Sequence, residues 1–139
     1  MTRTVHEILG DEAIRRLRLP IADAGGLPRQ AYTSQEFFDL EREKLFPRVW
    51  TGIGFTGDVP EPGDAMPLVV AGVPLILCRD MEGEIRVFHN VCRHRAAIML
   101  EKPEKGLKQF SCPYHAWAYA LNGELKGIPY FDGTPGSRE

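Results

Sequence analysis

Cys92-Arg93-His94 and Cys112-Pro113-Tyr114-His115 are the two stretches that decide the fold of this chain. Seventeen residues separate them, so the pattern is C-x-H, x17, C-x-x-H. Thiolate and imidazole are ligands that suit zinc or the iron of an iron–sulfur cluster. Because each stretch supplies one cysteine and one histidine, the pattern predicts a metal site built from two similar loops.

The grouping of the ligands indicates which metal they hold. Structural zinc sites usually place two cysteines on one turn and two histidines on one helix. Two mixed loops can instead give both cysteines to one metal atom and both histidines to another, which is the division found in a Rieske [2Fe-2S] centre. Cys92 and Cys112 are then predicted to hold a buried inner iron, and His94 and His115 the outer iron. The x17 gap suits a strand hairpin that brings the loops face to face. A zinc site, and four ordinary residues spaced by chance, stay open as alternatives.

The bulk composition describes an ordinary globular chain. Its 139 residues are 43% hydrophobic and 26% charged, with a net charge of -2, which argues against nucleic acid or an anionic membrane as a partner. There is no apolar run of 18 residues, and the start Met1–Glu7 lacks the apolar region of a secretory signal, so we expect a cytoplasmic protein. With two cysteines assigned as ligands, only Cys78 remains, and its apolar surroundings predict a buried strand residue.

Helical segments are expected in two parts of the first 50 residues. Residues 1–32 form an N-terminal arm in which Glu7–Leu19 could be a helix. Thr33 followed by Glu36 is a capping-box signature, and the spacing of the apolar residues after it predicts a helix over Ser34–Phe46.

The remainder predicts antiparallel β structure. Trp50 and Phe55 are expected to begin the β region, and Asp58–Asp64 to form a rigid loop. Asn122-Gly123 predicts a hairpin turn of type I′. The predicted strands are Pro67–Leu77 with a break at Gly72, Ile85–Asn90 after a turn at Glu82-Gly83, and Leu107–Ser111.

Five stretches of this sequence resemble one known family, and the resemblance runs from about Ala31 to Tyr130. It is to the N-terminal Rieske domain of the large (α) subunits of Rieske non-haem iron oxygenases, which include ring-hydroxylating dioxygenases and monooxygenases. The resemblance implies a mainly β fold, a Rieske-type antiparallel β-sandwich with two cluster-binding loops, preceded by a helical segment. It divides the chain into an arm (1–32), a leading helix with the entry to the β domain (33–50) and the Rieske [2Fe-2S] domain (51–139). The matching stretches are Tyr32-Thr33-Ser34, Glu41–Phe46, Asp58–Asp64, Asn90–Arg95 and Cys112–Trp117.

The sequence departs from the family pattern in both ligand loops. Ala96 and Ala116 stand where the family mostly has glycine. Because alanine disfavours positive φ, we expect ordinary φ angles at both positions. Ala118 and Ala120 likewise replace residues that are more often polar in the family. None of these changes removes a ligand.

The resemblance also implies an electron-transfer function. In the family, a reductase or ferredoxin reduces the cluster, and the electron passes to a mononuclear Fe(II) in the catalytic domain of a neighbouring subunit of a homotrimer. That iron site needs two histidines and a carboxylate, and only His6 and His89 remain here once the cluster ligands are assigned. We therefore predict no catalytic residue and no oxygenation site in these 139 residues. A free-standing Rieske-type ferredoxin is the alternative, but the helix within residues 33–50 favours the oxygenase.

Three further side chains are candidates for support or docking. Arg93 and Arg95 flank His94 and could attract a carboxylate of a partner, although solvated loop residues would look the same. Trp117 could pack under the cluster loops. High-potential respiratory relatives carry a disulfide and a serine hydroxyl at the positions of Ala97, Tyr114 and Trp117, so we expect a potential at the negative end of the Rieske range.

Overall fold

The computed structural model describes residues 3–129, which belong to two compact units. The first unit ends at Gly52 and the second begins at Ile53. No helix within residues 3–129 is long and apolar enough to cross a membrane. Three sequence predictions reach beyond the described residues, at Met1-Thr2, at Tyr130 and in the domain segment from 130 to 139.

Between Arg3 and Gly52 the N-terminal unit contains four α-helices, and its first predicted helix is wrong in extent. The expected helix over Glu7–Leu19 is divided at Gly10, whose φ of 84° lies outside the helical region. Thr4 caps the first helix in a capping box with Glu7. The unit is held by a small apolar core of Ile8, Leu9, Ile14 and Leu40. The helices are α1 (Val5–Leu9), α2 (Asp11–Leu17), α3 (Gln30–Thr33) and α4 (Gln35–Lys44), followed by a 3-10 turn at Phe46–Arg48.

The main helix of this unit, α4, is present where it was predicted but is capped differently. Ser34, not Thr33, is the N-cap, and its hydroxyl accepts a hydrogen bond from the Phe37 N–H at 3.3 Å. The Glu36 carboxylate does not return to the cap but accepts from the Arg3 guanidinium, with Nε at 2.9 Å. A tertiary ion pair has therefore displaced the local capping box.

The second unit has the predicted antiparallel β architecture, in two three-stranded sheets. The first sheet has the order β1-β2-β3 and the second the order β4-β5-β6. Trp50 and Phe55 do not begin a strand, because residues 50–55 have no ladder partner and a 3-10 turn follows at Thr56–Asp58. The strands are β1 (Ala65–Val70), β2 (Val73–Arg79), β3 (Ile85–His89), β4 (Phe110–Ser111), β5 (Ala118–Tyr119) and β6 (Leu125–Gly127).

Side chains from both sheets form a single core. Ala65, Ile76 and Cys78 from the first sheet pack with Phe110 from the second sheet and with Leu121 from the turn between β5 and β6. The prediction for Cys78 is confirmed, since it is fully buried and burial raises the pKa of its thiol to about 11. The predicted strand over Leu107–Ser111 is too long, because only its last two residues enter a ladder.

The type I′ turn lies in a different hairpin from the one in which it was predicted. Ala71 and Gly72, between β1 and β2, both have positive φ (50° and 85°), which a type I′ turn requires. The predicted type I′ turn at Asn122-Gly123 is wrong, because only Gly123 has positive φ there (96°). The Asn122 side chain instead accepts from the Glu124 N–H at 3.1 Å. This local hydrogen bond favours a three-residue loop that ends in a left-handed glycine.

Asp80 organises the turn between β2 and β3, and it should make the fold sensitive to acid. Its side chain is 2% exposed, and its carboxylate accepts from the N–H groups of Glu82 (3.0 Å) and Glu84 (2.9 Å) and from Arg86 Nε (2.9 Å). The hydrogen bond from Arg86 outweighs burial and holds the pKa of Asp80 below its ordinary value. A carboxyl with a lowered folded pKa stabilises the fold above its unfolded pKa and loses that effect as the pH falls through the folded pKa.

Asp80→Asn is therefore expected to lower the Tm by several degrees at pH 7. The difference from the wild type should shrink as the pH falls from about 4, the ordinary pKa of an aspartate, toward the lower pKa of the folded Asp80 carboxyl. Thermal unfolding between pH 7 and pH 3 measures both effects. Glu82→Gln, an exposed change in the same turn, is the control and should leave the Tm nearly unchanged. An Asp80→Asn difference that stays constant with pH would contradict the ion-pair explanation.

Candidate metal centre

The two predicted ligand loops have the same backbone hydrogen bonds. In the first loop, residues 92–97, the Cys92 N–H donates to Ala97 O (2.8 Å) and the Ala96 N–H donates to Cys92 O (2.9 Å). In the second loop, residues 112–117, Cys112 N–H donates to Trp117 O and Ala116 N–H to Cys112 O, at the same two distances. Each loop is thus a six-residue turn that begins at its cysteine, and the histidine is its third residue in the first loop and its fourth in the second.

This turn forces left-handed backbone at its fifth residue. Ala96 has a φ of 53° and Ala116 a φ of 57°, so the prediction of ordinary φ angles is wrong. The two hydrogen bonds that close each turn require the chain to reverse there, and they override the preference of alanine. Left-handed conformation costs a non-glycine residue about 1–2 kcal/mol.

Replacing either alanine by glycine should therefore stabilise the chain. We expect Ala96→Gly or Ala116→Gly to raise the free energy of unfolding by about 0.5–1 kcal/mol, the relief of strain less the greater unfolded-state entropy of glycine. Urea unfolding of each single variant is the measurement. Ala97→Gly is the matched control, because residue 97 has no positive φ, and it should lower the stability instead. Equal effects of the substitutions at 96 and 97 would contradict the explanation.

The loops follow strands of different sheets. β3 ends at His89 and leads into the first loop, whereas β4 leads into the second. The predicted strand hairpin between the loops is wrong, because the chain from 98 to 109 is irregular and has a single bridge, from Glu104 to Ala65. The sandwich itself, rather than a local hairpin, brings the loops together.

A buried asparagine closes the first loop at its base. Asn90 is 3% exposed, and its Oδ1 accepts from the N–H groups of Met99 (3.0 Å) and Leu100 (2.9 Å). Its Nδ2 donates to Leu100 O at 2.7 Å. Sequence analysis did not single out this residue, although its position two residues before Cys92 was a usable signal.

The two cysteines lie at the buried side of the site. Cys92 is 2% and Cys112 is 4% exposed. Burial acts to raise the pKa of the Cys92 thiol, but the Tyr119 hydroxyl, the His94 and Arg95 N–H groups and the Cys112 thiol outweigh it, so this pKa lies below its ordinary value. A thiol that loses its proton readily is a ready metal ligand.

Tyr119 is a second residue that sequence analysis missed. Its hydroxyl lies 3.5 Å from Cys92 Sγ. Burial and the neighbouring Cys92 raise the pKa of Tyr119 to about 12, so the hydroxyl keeps its proton and can donate to sulfur. High-potential relatives carry a serine hydroxyl at the position of Trp117. In this chain Tyr119, two residues further along, offers a hydroxyl donor to sulfur instead.

The two histidines lie side by side on the outer face of the site. Their ring centroids are 4.8 Å apart, with an interplanar angle of 63°. His115 Nδ1 is buried and has no hydrogen-bond partner in the described part of the chain. Desolvation within the site, followed by the charges of His115 and Arg95, lowers the pKa of His94 and favours its neutral form. A neutral imidazole has a free lone pair for a metal.

The arrangement could hold two metal atoms, one at the thiols and one at the imidazoles. Within residues 3–129 no three side chains among His, Cys, Asp and Glu converge as ligands of a single ion. Of the other candidates, Trp117 stacks on His94 with ring centroids 4.8 Å apart and an interplanar angle of 3°, and Arg93 and Arg95 are exposed. The paired donors fit an iron–sulfur cluster bound by two cysteines and two histidines.

Comparison with known proteins identifies the relatives of this chain. A sequence profile described as the Rieske [2Fe-2S] domain matches residues 49–136. The large oxygenase component of salicylate 5-hydroxylase from a Ralstonia species is 37% identical over 109 residues, covering 78% of this chain and 26% of that protein. The biphenyl dioxygenase α subunit of Paraburkholderia xenovorans LB400 is 35% identical over 119 residues, covering 86% and 26%.

Solved structures agree with these relatives. The quaternary ammonium Rieske monooxygenase CntA superposes with a TM-score of 0.70 at 30% identity, covering 81% of this chain and 32% of that chain. Naphthalene 1,2-dioxygenase from a Rhodococcus species superposes with a TM-score of 0.67 at 34% identity, covering 75% and 24%. The chain spans about a quarter of the length of the curated relatives it matches.

Proposed function

Because the chain belongs to the Rieske [2Fe-2S] domain family, we propose that Cys92 and Cys112 hold the inner iron of a Rieske cluster and His94 and His115 the outer iron. The observation that carries this assignment is the buried, unpartnered Nδ1 of His115, which faces no protein acceptor or donor within residues 3–129. An unsatisfied buried nitrogen is costly unless a ligand completes it. When bound, such a cluster supplies reversible storage of one electron.

The proposed function is electron transfer within a Rieske oxygenase large subunit. In this proposal the chain receives electrons from a reductase or ferredoxin and delivers them to a mononuclear Fe(II) site outside residues 1–139. The named relatives are oxygenase subunits, and this chain matches only about a quarter of each, which supports a separate catalytic domain. One solved relative, a quaternary ammonium Rieske monooxygenase, is described in terms of inter-subunit electron transfer. By analogy, the acceptor is the catalytic domain of a neighbouring subunit in a homotrimer.

Each part of the chain has a role in this proposal. Residues 51–139 are the Rieske domain, 33–50 its leading helix and 1–32 an N-terminal arm. The thiols stay in the dry interior, while His94 reaches the surface and offers the electron a short path to a partner. The exposed guanidinium groups of Arg93 and Arg95 attract a carboxylate on that partner.

Metal analysis of the purified chain tests the assignment. We expect about two irons and two sulfides per chain, a brown colour and the EPR signal of a reduced Rieske centre. A colourless chain with one zinc ion would overturn it in favour of a structural zinc site.

Reading the gene beyond the codon for Glu139 separates the oxygenase from a free-standing ferredoxin. An open frame that continues into H-x4-H and a carboxylate supports the oxygenase, and an immediate stop supports the carrier.

Tyr119→Phe should lower the midpoint potential of the cluster. A hydrogen bond to sulfur stabilises the reduced, more negative state, and a contribution of about 1 kcal/mol corresponds to about 40 mV for one electron. Redox titration of the purified chain measures the shift. Tyr114→Phe is the matched control, since it removes an exposed hydroxyl with no described contact to sulfur, and it should change the potential little. A higher potential in Tyr119→Phe would contradict the role of the hydroxyl.

A further inference from the structure

Four rings stand in a continuous row at the outer face of the site. Trp117 and His94 have ring centroids 4.8 Å apart, His94 and His115 4.8 Å, and His115 and Tyr114 3.8 Å. We call these four rings the aromatic row. Its two inner members are the proposed ligands of the outer iron.

Tyr114 and Trp117, at the two ends of the aromatic row, make different contacts. Tyr114 is the sequence neighbour of His115, is 59% exposed and meets it at a tilted angle of 33°. Trp117 is half-buried and joins the two loops. Its carbonyl accepts the Cys112 N–H and so closes the second loop, while its indole lies parallel to the imidazole of His94 in the first loop.

Of the two histidines, His94 depends more on a packing partner to fix the orientation of its ring. His94 is exposed on a loop whose neighbours, Arg93 and Arg95, are also exposed, so little else restricts its ring. An exposed side chain loses rotamer freedom when it is ordered for binding, and prior ordering by packing removes that cost. A parallel indole restricts both the position and the plane of the imidazole.

We propose that Trp117 is a positioning residue for His94, which holds the plane of its imidazole opposite His115 in the orientation that the outer iron requires. The inference rests on the proposed function, because it takes His94 as a cluster ligand. Aromatic pairs contribute about 0.5–1.5 kcal/mol beyond their buried area, a factor of about two to ten in an equilibrium or a rate. If Trp117 only fills space, any apolar side chain of similar size would serve as well.

Pulsed EPR of the reduced, cluster-loaded chain labelled with 15N-histidine tests the proposal. In the wild type we expect nitrogen couplings from two histidines. In Trp117→Leu one coupling should change while the other stays, and iron release to a chelator should accelerate about two- to tenfold. Trp117→Phe keeps an aromatic face and should release iron within about twofold of the wild-type rate. Tyr114→Leu removes the ring at the other end of the aromatic row. The histidine coupling that changes in Trp117→Leu should keep its wild-type value in Tyr114→Leu.

The outcomes separate this inference from the function on which it rests. Unchanged couplings and release in Trp117→Leu would overturn the positioning role and leave the ligand assignment intact. A wild-type chain without histidine couplings would overturn the function itself. If Trp117→Leu does not take up iron, Trp117→Phe and Trp117→Met decide, since their side chains are similar in size but only phenylalanine keeps a ring. Equal release rates in these two variants would overturn the proposal.

Discussion

Cys112→Ser is expected to yield a colourless chain that retains less than about a tenth of the wild-type iron. Even the residues that only support metal ligands cost 10–100-fold in affinity when they are replaced, and loss of a ligand should cost more. A serine hydroxyl does not ionise near neutral pH, whereas a cluster iron requires the thiolate. Iron and sulfide content, with visible absorption of the purified variant, is the measurement.

The remaining proposed ligands provide the comparison for this result. Cys92→Ser and His115→Ala should behave as Cys112→Ser does, because a [2Fe-2S] centre has no spare protein ligand. His89→Ala is the matched control, since His89 lies at the exposed end of β3 and is not a proposed ligand. The ligand assignment would be wrong if Cys112→Ser kept its cluster, or if His89→Ala lost it to the same extent.

Asn90→Ala should produce the largest loss of stability outside the ligands, about 3 kcal/mol. The substitution removes one donated and two accepted hydrogen bonds at a site that is 3% exposed. It leaves polar backbone groups of Met99 and Leu100 without their partner, and each such buried group costs about 1–3 kcal/mol. Because Cys92 and His94 lie inside the segment that Asn90 closes, cluster retention should fall as well. Chemical denaturation and iron content measure the two effects.

Asn122→Ala is the control for Asn90→Ala. Asn122 accepts a single hydrogen bond from Glu124 N–H in an exposed turn, so its loss should cost less than about 1 kcal/mol and leave the iron content unchanged. Asn90→Asp retains both acceptor contacts but not the donor to Leu100 O, and an intermediate loss is expected. Similar losses of stability in Asn90→Ala and Asn122→Ala would show that the hydrogen bonds of Asn90 across the base of the first loop contribute little.

The ligand loops could be predicted from the sequence because their residue types and spacing indicate metal ligands. The structure places the two cysteines at the buried side and the two histidines 4.8 Å apart at the outer side, an arrangement compatible with the predicted grouping of the ligands. Helix α4 and the strands of the first sheet were predictable for a similar reason, since their apolar residues recur with a clear period.

The errors arose where distant partners override local preference. Glu36 looks like half of a capping box but pairs with Arg3, thirty-three residues away in sequence. Tyr119 has no distinctive spacing, and only the packing of the second sheet places its hydroxyl near Cys92. These features depend on three-dimensional contacts, which no short window of sequence contains.

The left-handed alanines have a consequence for recognising related chains. Ala96 and Ala116 show that the loop shape is set by its two closing hydrogen bonds and can be occupied by a residue with a Cβ atom. A search motif that demands glycine at the fifth position of each loop would pass over such chains. A motif that keeps the cysteines and histidines, and admits any small residue at the fifth loop position, would retain them.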